Sequence, residues 1–335
     1  MVHSQSTLRN SLSQRNRRSA ADGIRPAAAL QSLLDRVCDG LRGCTIQELV
    51  DRHLDDLFIG LAALRRDGSP ENWRDMLAEC RRHPLLPLIH EDPLTRRAFT
   101  RPRGYAGDAV ILDYIYGREE LWPEPDATPI GRAIFRYTTG APAAEGVRAR
   151  RGFMAELIDR LAESVPHPHV LSIASGHLRE ANLAAAVRRR RLGRLVALDA
   201  DAESLREVAS CYGPYGVETC HADFRKLLAG RSGLGRFDLV YSTGLFDYLH
   251  HAAGRRLVTA MFNLLSPGGR LVVANFLPDI RDIGYMEAFM DWNLVYRTRH
   301  EMIELTRDVP QPKIHSLRIW AEEGQNIIFL EVCRR

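Results

Sequence analysis

The second half of the chain alternates short apolar segments with segments of helical spacing. The five strand-like segments read HVLSIASG, RLVALDA, VETCHA, RFDLVYS and GGRLVVANF. This alternation is the strongest constraint on the fold, because strands that are joined through helices over short connections run parallel, with right-handed crossovers. The sequence therefore predicts an open, doubly wound α/β sheet.

Two further strand-like segments, KIHSLRIWAE and NIIFLEVCR, close the chain. The three residues EGQ between them are too few for a crossover and are typical of a hairpin. The sheet should therefore have seven strands and a reversed C-terminal hairpin.

The first half of the chain has helical spacing. Apolar stripes such as Leu30, Leu34 and Leu41 predict packed helices, and Ser69 before Pro70 predicts a helix start. Residues 83–108 contain four prolines and are expected to be irregular chain leading into the helix AVILDYIYG. We predict a polar, disordered tail over residues 1–26, with an organellar address as the alternative, a mostly helical N-terminal or lid domain over 27–146, and the sheet domain over 147–335.

Charge and cysteine content narrow the functional classes. The chain has 46 basic and 42 acidic residues, and both signs are interspersed, so no basic stripe marks a nucleic-acid partner. The six cysteines form no C-x-x-C pair, which disfavours a metal site and favours the reducing cytoplasm. No apolar run approaches the ~20 residues that cross a bilayer, so stable membrane insertion is not expected.

Chemistry-bearing residues follow the predicted strands, where a doubly wound sheet binds its ligands. A glycine turn after strand one and an acidic residue about 20 positions later are typical of nucleoside binding in a Rossmann-like sheet, where the carboxylate accepts from the ribose hydroxyls. Gly176 and Asp199 fit this pattern. The turn keeps only one glycine of the dinucleotide fingerprint, so a nucleoside without a pyrophosphate is favoured.

With these features, and the phrase LLSPGGRLVVANF at strand five, residues from about 147 to 335 resemble class I S-adenosylmethionine-dependent methyltransferases. A narrower resemblance is to a bacterial subfamily associated with methyl esters of 3-hydroxy fatty acids, used as extracellular signals. It is carried by the phrases RPRGYAGDAVILDYIYG, YSTGLFDYL, ANFLP and DWNLVYRT. The resemblance implies S-adenosylmethionine as cofactor and a small-molecule acceptor.

The resemblance also implies roles for single residues. Gly176 and its neighbours would approach the methionine moiety, and Asp199 would hold the ribose. Asp223 and Phe224 would border the adenine, one by a hydrogen bond and one by its ring, and Ser242 and Gly244 would line the methionine end. The residues assigned to the cofactor are Ser172, Ala174, Gly176, Asp199, Ala200, Asp223, Phe224, Ser242 and Gly244. Helix capping is the alternative for both aspartates, and a core position is the alternative for Phe224.

The glycine turn departs from the family pattern. Most members alternate an acidic residue with three glycines, where this chain has Ser172, Ala174, Gly176 and Leu178. Alanine is tolerable there only if its backbone angles are ordinary. Cofactor binding is still expected, with a less standard cradle.

The catalytic candidates are Arg103, Tyr105, Arg297 and His177. In the family, segments before strand one often fold over the cofactor, so Arg103 and Tyr105 would contact a carboxylate of the cofactor or of the acceptor. Arg297 would be a second clamp, because a guanidinium matches a carboxylate at two points. Salt bridges to Asp108 or Asp291 are the alternative for the arginines, and an exposed loop position is the alternative for His177.

The acceptor decides whether a base is needed. A carboxylate is already ionised, whereas an amine or hydroxyl must lose a proton to a base such as His177, Asp247 or Tyr248. Three functions stay open: a small-molecule methyltransferase acting on a carboxylate or on a natural-product nitrogen or oxygen, a nucleic-acid methyltransferase, and a cofactor-binding regulator without turnover. The second is disfavoured because YSTGLFDY lacks the N/D-P-P-Y/F signature.

Overall fold

The computed structural model describes residues 26–117, 126–229 and 233–335. The predicted tail therefore lies almost wholly outside the described residues. The chain divides into two compact units. The helical unit is formed by the described parts of Met1–Ala106, Pro125–Thr138 and Arg281–Trp292, and the sheet unit by those of Gly107–Glu124, Thr139–Ile280 and Asn293–Arg335.

The helical unit is built from amphipathic helices whose apolar stripes face one another. Its helices are α1 (residues 26–41), α2 (Gln47–Asp67), α3 (Pro70–Cys80), α4 (Leu85–Ile89), α5 (Pro93–Thr100), the first part of α7 (Pro129–Gly140) and α14 (Ile283–Phe289). Leu30, Leu34 and Leu41 of the predicted stripe are buried, and the Phe58 ring stacks on Tyr285 with 4.2 Å between the ring centroids. The Ser69 hydroxyl accepts from the Asn72 amide, which confirms the predicted helix start.

The structure corrects the expectation for the proline-rich segment, residues 83–108. Expected to be irregular, it contains α4 and α5. The Asp92 carboxylate caps α5 by accepting from the Leu94 and Thr95 amides, and Pro93 takes the first helical position. A proline at that position has no amide hydrogen to leave unsatisfied, so it begins a helix rather than breaking one.

The sheet unit contains seven strands in the order β3-β2-β1-β4-β5-β7-β6. The strands are β1 (His169–Ile173), β2 (Arg194–Asp199), β3 (Val217–His221), β4 (Phe237–Ser242), β5 (Leu265–Phe276), β6 (Ile314–Ala321) and β7 (Ile327–Arg334). The first five strands pair in parallel, and β7 pairs antiparallel with both β5 and β6. This topology confirms the predicted doubly wound sheet with its reversed hairpin.

Helices accompany the strands of this unit as the alternation predicts. They are α6 (Ala109–Gly117), the end of α7, α8 (Pro142–Ser164), α9 (Glu180–Leu183), α10 (Ala185–Arg188), α11 (Ala202–Tyr212), α12 (Arg225–Leu228), α13 (His251–Asn263) and α15 (Arg299–Glu304). The central strands are buried, which is why their sequences are continuous apolar runs. The boundary expected between residues 146 and 147 falls inside α8, and the domain ranges stay a prediction.

One predicted helix is interrupted. The segment REANLAAAVRRRR forms α9 and α10, which are separated by the extended Ala184 at ψ 112°. The Asp159 carboxylate accepts from the amides of Ala185 and Ala186 at 3.0 and 2.7 Å, so it caps the second helix. Among the helices that the structure describes, none is long and apolar enough to cross a membrane.

Candidate active site

The carboxyl ends of β1, β2 and β4 meet where the strand order reverses. Ser172 of β1 is in register with Ala197 on one side and with Tyr241 on the other. The loops that follow these three strands are therefore neighbours at one edge of the sheet, which is the edge where doubly wound sheets bind ligands.

The loop after β1 has an unusual backbone. Ala174, Gly176 and Leu178 all adopt left-handed conformations, with φ of 52°, 53° and 52°. This conformation costs a non-glycine residue about 1–2 kcal/mol. The condition set for Ala174, ordinary backbone angles, is therefore not met, and the loop holds strain of the kind found at ligand sites. Leu178 is 1% exposed, so burial of its side chain offsets part of the cost.

Gly176 is also close to another element. A Cβ at this position would lie 3.3 Å from the Cβ of Ala109 on α6. A side chain would therefore press on that helix as well as strain the turn, and both effects explain why glycine is retained here.

Asp199, the last residue of β2, connects two loops. Its Oδ2 accepts from the Gly176 amide and its Oδ1 from the Asp201 amide, each at 2.8 Å. Burial raises the pKa of this carboxyl group, against the lowering effect of these amides. Each carboxylate oxygen has a further acceptor site, so the group keeps the capacity to bind two hydroxyls.

Helix capping, the alternative role for Asp199, is performed by a neighbouring aspartate. The N-cap of α11 is Asp201, whose carboxylate accepts from the Glu203 amide at 2.9 Å. Ala200, between the two aspartates, has its carbonyl oxygen 3.0 Å from Nε2 of His221. Asp199 is thus left without a capping role.

Asp223 and Phe224 follow β3. The Asp223 carboxylate accepts from the Arg225 amide at 2.8 Å, although the N-cap of α12 is the next residue, Phe224. Phe224 is half-buried and forms one wall of a cleft of about 540 Å³ between α12 and α13. The cleft is also lined by Leu228, Tyr248, Leu249 and His250.

The end of β4 carries a buried hydroxyl without a partner. Ser242 is 1% exposed, and its Oγ has no hydrogen-bond partner among the described residues. A buried polar atom without a partner is costly, and at a strand end of this sheet it indicates a ligand group. This orphan atom, the Gly176 turn and Asp199 fit a nucleoside cofactor that also carries a polar amino-acid part.

An arginine that the sequence did not single out binds the residue that follows Ser242. Arg150 of α8 is 5% exposed, and its Nη1 donates to the carbonyl oxygen of Thr243. The same nitrogen is 3.9 Å from Oδ2 of Asp247, whose Oδ1 accepts from the Phe276 amide at 2.8 Å. Burial raises the pKa of Asp247 to about 6, although the positive charge of Arg150 opposes the rise.

His177 is buried in an ionic cluster and is not an exposed loop residue. Its Nδ1 is 2.8 Å from Oδ2 of Asp113 on α6, 64 residues away in the chain. Arg179 also holds Asp113, through Nε at 2.7 Å and Nη2 at 2.8 Å, and reaches Glu207 at 2.8 Å. The sequence contains no local signal for the contact with Asp113.

Arg297, the predicted second clamp, is hydrogen-bonded to protein acceptors. It is 1% exposed, and its guanidinium donates to the carbonyl oxygens of Phe246 and Leu249 and to Oδ1 of Asn275. Burial lowers the pKa of this guanidinium. These three acceptors are protein atoms, and the clamp role of Arg297 stays a prediction.

Arg103 and Tyr105 lie in the helical unit, in a turn where Gly104 has φ 88° and donates to the Arg101 carbonyl oxygen. Asp291 of the same unit pairs with Arg81 and Arg101. In the sheet unit, the Asp108 carboxylate accepts from the Val110 and Ile111 amides at the start of α6. The lid roles of Arg103 and Tyr105 stay predictions.

Comparison with known sequences finds a family match on the part of the chain that carries this site. Residues 170–269, from β1 into β5, match the family model described as a methyltransferase domain. No curated protein matches the chain.

Several solved structures resemble this one. A possible exported protein from Bordetella parapertussis has a TM-score of 0.54 and 19% identity, over 67% of this chain and 79% of that one. Magnesium protoporphyrin IX methyltransferase from Synechocystis, with SAH bound, has a TM-score of 0.47 and 11% identity, over 68% and 98%. The N-methyltransferase NodS from Bradyrhizobium japonicum, in complex with S-adenosyl-L-homocysteine, has a TM-score of 0.41 and 15% identity, over 56% and 87%.

Proposed function

We propose that this S-adenosylmethionine-dependent methyltransferase methylates a carboxylate oxygen of a small molecule, with a 3-hydroxy fatty acid as the leading acceptor. The observation that carries the proposal is the buried guanidinium of Arg150 at the end of β4, which suits an anionic acceptor. The four sequence phrases that resemble the ester-forming subfamily support the choice of a hydroxy fatty acid.

The cofactor supplies an electrophilic methyl group. In the proposal, Asp199 accepts from the ribose hydroxyls, the loop at Gly176 lies along the methionine part, and Ser242 donates to a polar group of that part or of the acceptor. Phe224, beside its cleft, borders the adenine. Because Asp199 also holds the Gly176 amide, ribose binding and the loop conformation are coupled.

Methyl transfer is an in-line displacement, so the protein contributes mainly through alignment, which is worth ~7–11 kcal/mol in well-oriented reactions. An ionised carboxylate needs no base. Asp247, one of the base candidates, is already held by the Phe276 amide and lies 3.9 Å from Arg150. This arrangement supports an acceptor that arrives without a proton to lose.

A second candidate is methylation of a hydroxyl or an amine, and the contact between His177 and Asp113 favours it. A carboxylate at Nδ1 orients an imidazole and fixes its tautomer, as in sites where the ring acts as a base. In this case His177 would remove the acceptor proton, and turnover would depend on its ring.

The test uses the full chain with methyl-labelled S-adenosylmethionine and a panel of 3-hydroxy acids, their amides, hydroxylated natural products, amines and RNA. We expect the label in methyl esters that mild base releases. Label only on nitrogen, on an ether oxygen or on RNA would overturn the ester assignment. Cofactor binding by calorimetry without transfer to any acceptor would instead support a regulator.

The variant His177→Gln separates the two acceptor classes. For a carboxylate acceptor we expect ester formation to keep the same pH dependence as in the unmodified protein, even if the rate falls. For a hydroxyl or amine acceptor the rate should collapse and the pH dependence should change, because the base is gone. Arg179→Lys, which disturbs the same cluster without removing the ring, is the matched control.

A further inference from the structure

We propose that Arg150 and Ser242 form a carboxylate-binding subsite at the carboxyl end of β4. The inference rests on the proposed function, because it assumes that a small-molecule ligand enters this edge of the sheet. Two sources supply the same chemistry: the amino-acid part of the cofactor, and the acid group of the acceptor.

The first observation is the orphan hydroxyl of Ser242. Its side chain is 1% exposed, and its Oγ lacks a hydrogen-bond partner among the described residues. The buried hydroxyl of the preceding residue, Tyr241, does have a partner, since it donates to Oε1 of Glu180 at 2.6 Å. Buried hydroxyls are nearly always bonded, so Ser242 indicates a ligand atom that completes its bonding.

The second observation is the arginine that binds the next residue of the chain, Thr243. Arg150 is 5% exposed. Among the described residues its guanidinium makes one hydrogen bond, from Nη1 to the Thr243 carbonyl oxygen. Its partner in charge, Asp247, is 3.9 Å away, beyond hydrogen-bond distance. Arg297, another buried arginine of the sheet unit, uses its guanidinium on three acceptors. Arg150 therefore keeps donors for a ligand.

The third observation is the space next to Gly244. If a Cβ were added there, the one heavy atom within 4 Å, neighbouring residues aside, would be Nη2 of Arg150, at 4.0 Å. The second edge of the guanidinium therefore borders open space at the end of β4, one residue beyond the carbonyl that its first edge binds. This guanidinium edge at Gly244 and the hydroxyl donor two residues earlier in the chain are the kinds of group that match a carboxylate, which accepts at two oxygens.

A bound carboxylate would also improve the local charge balance. Arg150 is followed by Arg151, whose guanidinium lies over the Tyr116 ring at 4.3 Å from its centroid, and both arginines are buried. Asp247 is an incomplete partner because its Oδ1 is bound to the Phe276 amide. An anion at Nη2 of Arg150 would supply the missing short contact.

The experiment measures binding to Arg150→Lys and Ser242→Ala by calorimetry. The cofactor arm compares S-adenosylhomocysteine with 5′-methylthioadenosine, which lacks the amino-acid part. The acceptor arm uses protein saturated with S-adenosylhomocysteine and compares 3-hydroxydecanoate with its neutral amide. If the cofactor supplies the carboxylate, both variants should bind S-adenosylhomocysteine at least tenfold more weakly and methylthioadenosine unchanged. If the acceptor supplies it, only the affinity for 3-hydroxydecanoate should fall tenfold or more.

Affinities within twofold of the unmodified protein in both arms would overturn the subsite. Folding is controlled by Ser242→Ala, which removes a hydroxyl that has no protein partner and should unfold at the same temperature or higher. Arg297→Lys is the matched control. It should lower the unfolding temperature and leave the affinities for S-adenosylhomocysteine and for 3-hydroxydecanoate unchanged relative to methylthioadenosine and to the amide. If the protein makes no ester but the variants bind S-adenosylhomocysteine more weakly, the subsite is supported and the carboxylate acceptor is not. If the protein makes the ester but the affinities of the variants are unchanged, the carboxylate acceptor is supported and the subsite is not.

Discussion

The amide of Gly176 donates a 2.8 Å hydrogen bond to Oδ2 of Asp199, so the loop after β1 and the end of β2 hold each other in place. The two positions are 23 residues apart in the chain. The carboxylate assigned to the ribose thus also fixes the turn assigned to the methionine part, and a change at Asp199 should affect both.

We expect Asp199→Ala to weaken S-adenosylmethionine binding by about 1–3 kcal/mol, because the variant loses acceptors for the ribose hydroxyls and leaves the Gly176 amide without its partner. Calorimetry measures the loss. Asp201→Ala is the control: it removes the cap of α11 and should cost about 1 kcal/mol of unfolding free energy with little change in affinity. Unchanged affinity in Asp199→Ala would refute the ribose role.

Ala174→Gly should stabilise the protein by about 1 kcal/mol, because glycine adopts φ 52° without the penalty that alanine carries. Urea unfolding measures the change. The same substitution at Ala155, inside α8, should instead destabilise by about 0.5–1 kcal/mol. Equal destabilisation at both positions would show that the turn is not strained.

Asp247→Asn should flatten the pH dependence of stability between about pH 4 and pH 6. The native pKa of Asp247 is raised to about 6, above its ordinary value of 3.8, so in this window the native state binds a proton that the unfolded state has released. Stability from this group therefore falls as pH rises, by about 2 kcal/mol across the window, and asparagine cannot titrate.

Urea unfolding at several pH values, for the unmodified protein and for Asp247→Asn, measures this difference. Asp159→Asn, at the partly buried carboxylate that accepts from the Ala185 and Ala186 amides, is the control for the loss of a carboxylate acceptor. Parallel pH profiles for the unmodified protein and Asp247→Asn would contradict the raised pKa.

In the helical unit, Glu287→Gln should lower the unfolding free energy by about 1.5–3 kcal/mol. The Glu287 carboxylate accepts from Nε1 of Trp73 at 2.6 Å and from Nε and Nη2 of Arg65, both at 3.0 Å. A glutamine side chain has one acceptor oxygen and one NH2 donor, so it cannot accept all three of these hydrogen bonds. Glu163→Gln, at an exposed position, is the control and should stay within about 0.5 kcal/mol. Thermal unfolding of both variants tests the difference.

Much of the fold could be predicted from the sequence, because the signal is local. Within RLVALDA the residues LVAL are all apolar because their strand is buried on both faces, and the acidic residue that follows them marks the ligand edge. The same logic placed Gly176, Asp199 and Ser242 at neighbouring strand ends. The helix starts at Ser69 and Pro93 are equally local, although the proline-rich segment was misinterpreted because prolines also occupy first helical positions.

The partners of the polar side chains were decided by the tertiary structure alone. Arg150 meets the Thr243 carbonyl 93 residues away, and His177 meets Asp113 across 64 residues, and no spacing rule links either pair. Arg297 was expected at a ligand but is enclosed by three protein acceptors. A residue type states which bonds a side chain is able to make, whereas packing of distant segments determines which acceptors reach it and whether a donor is left for a ligand.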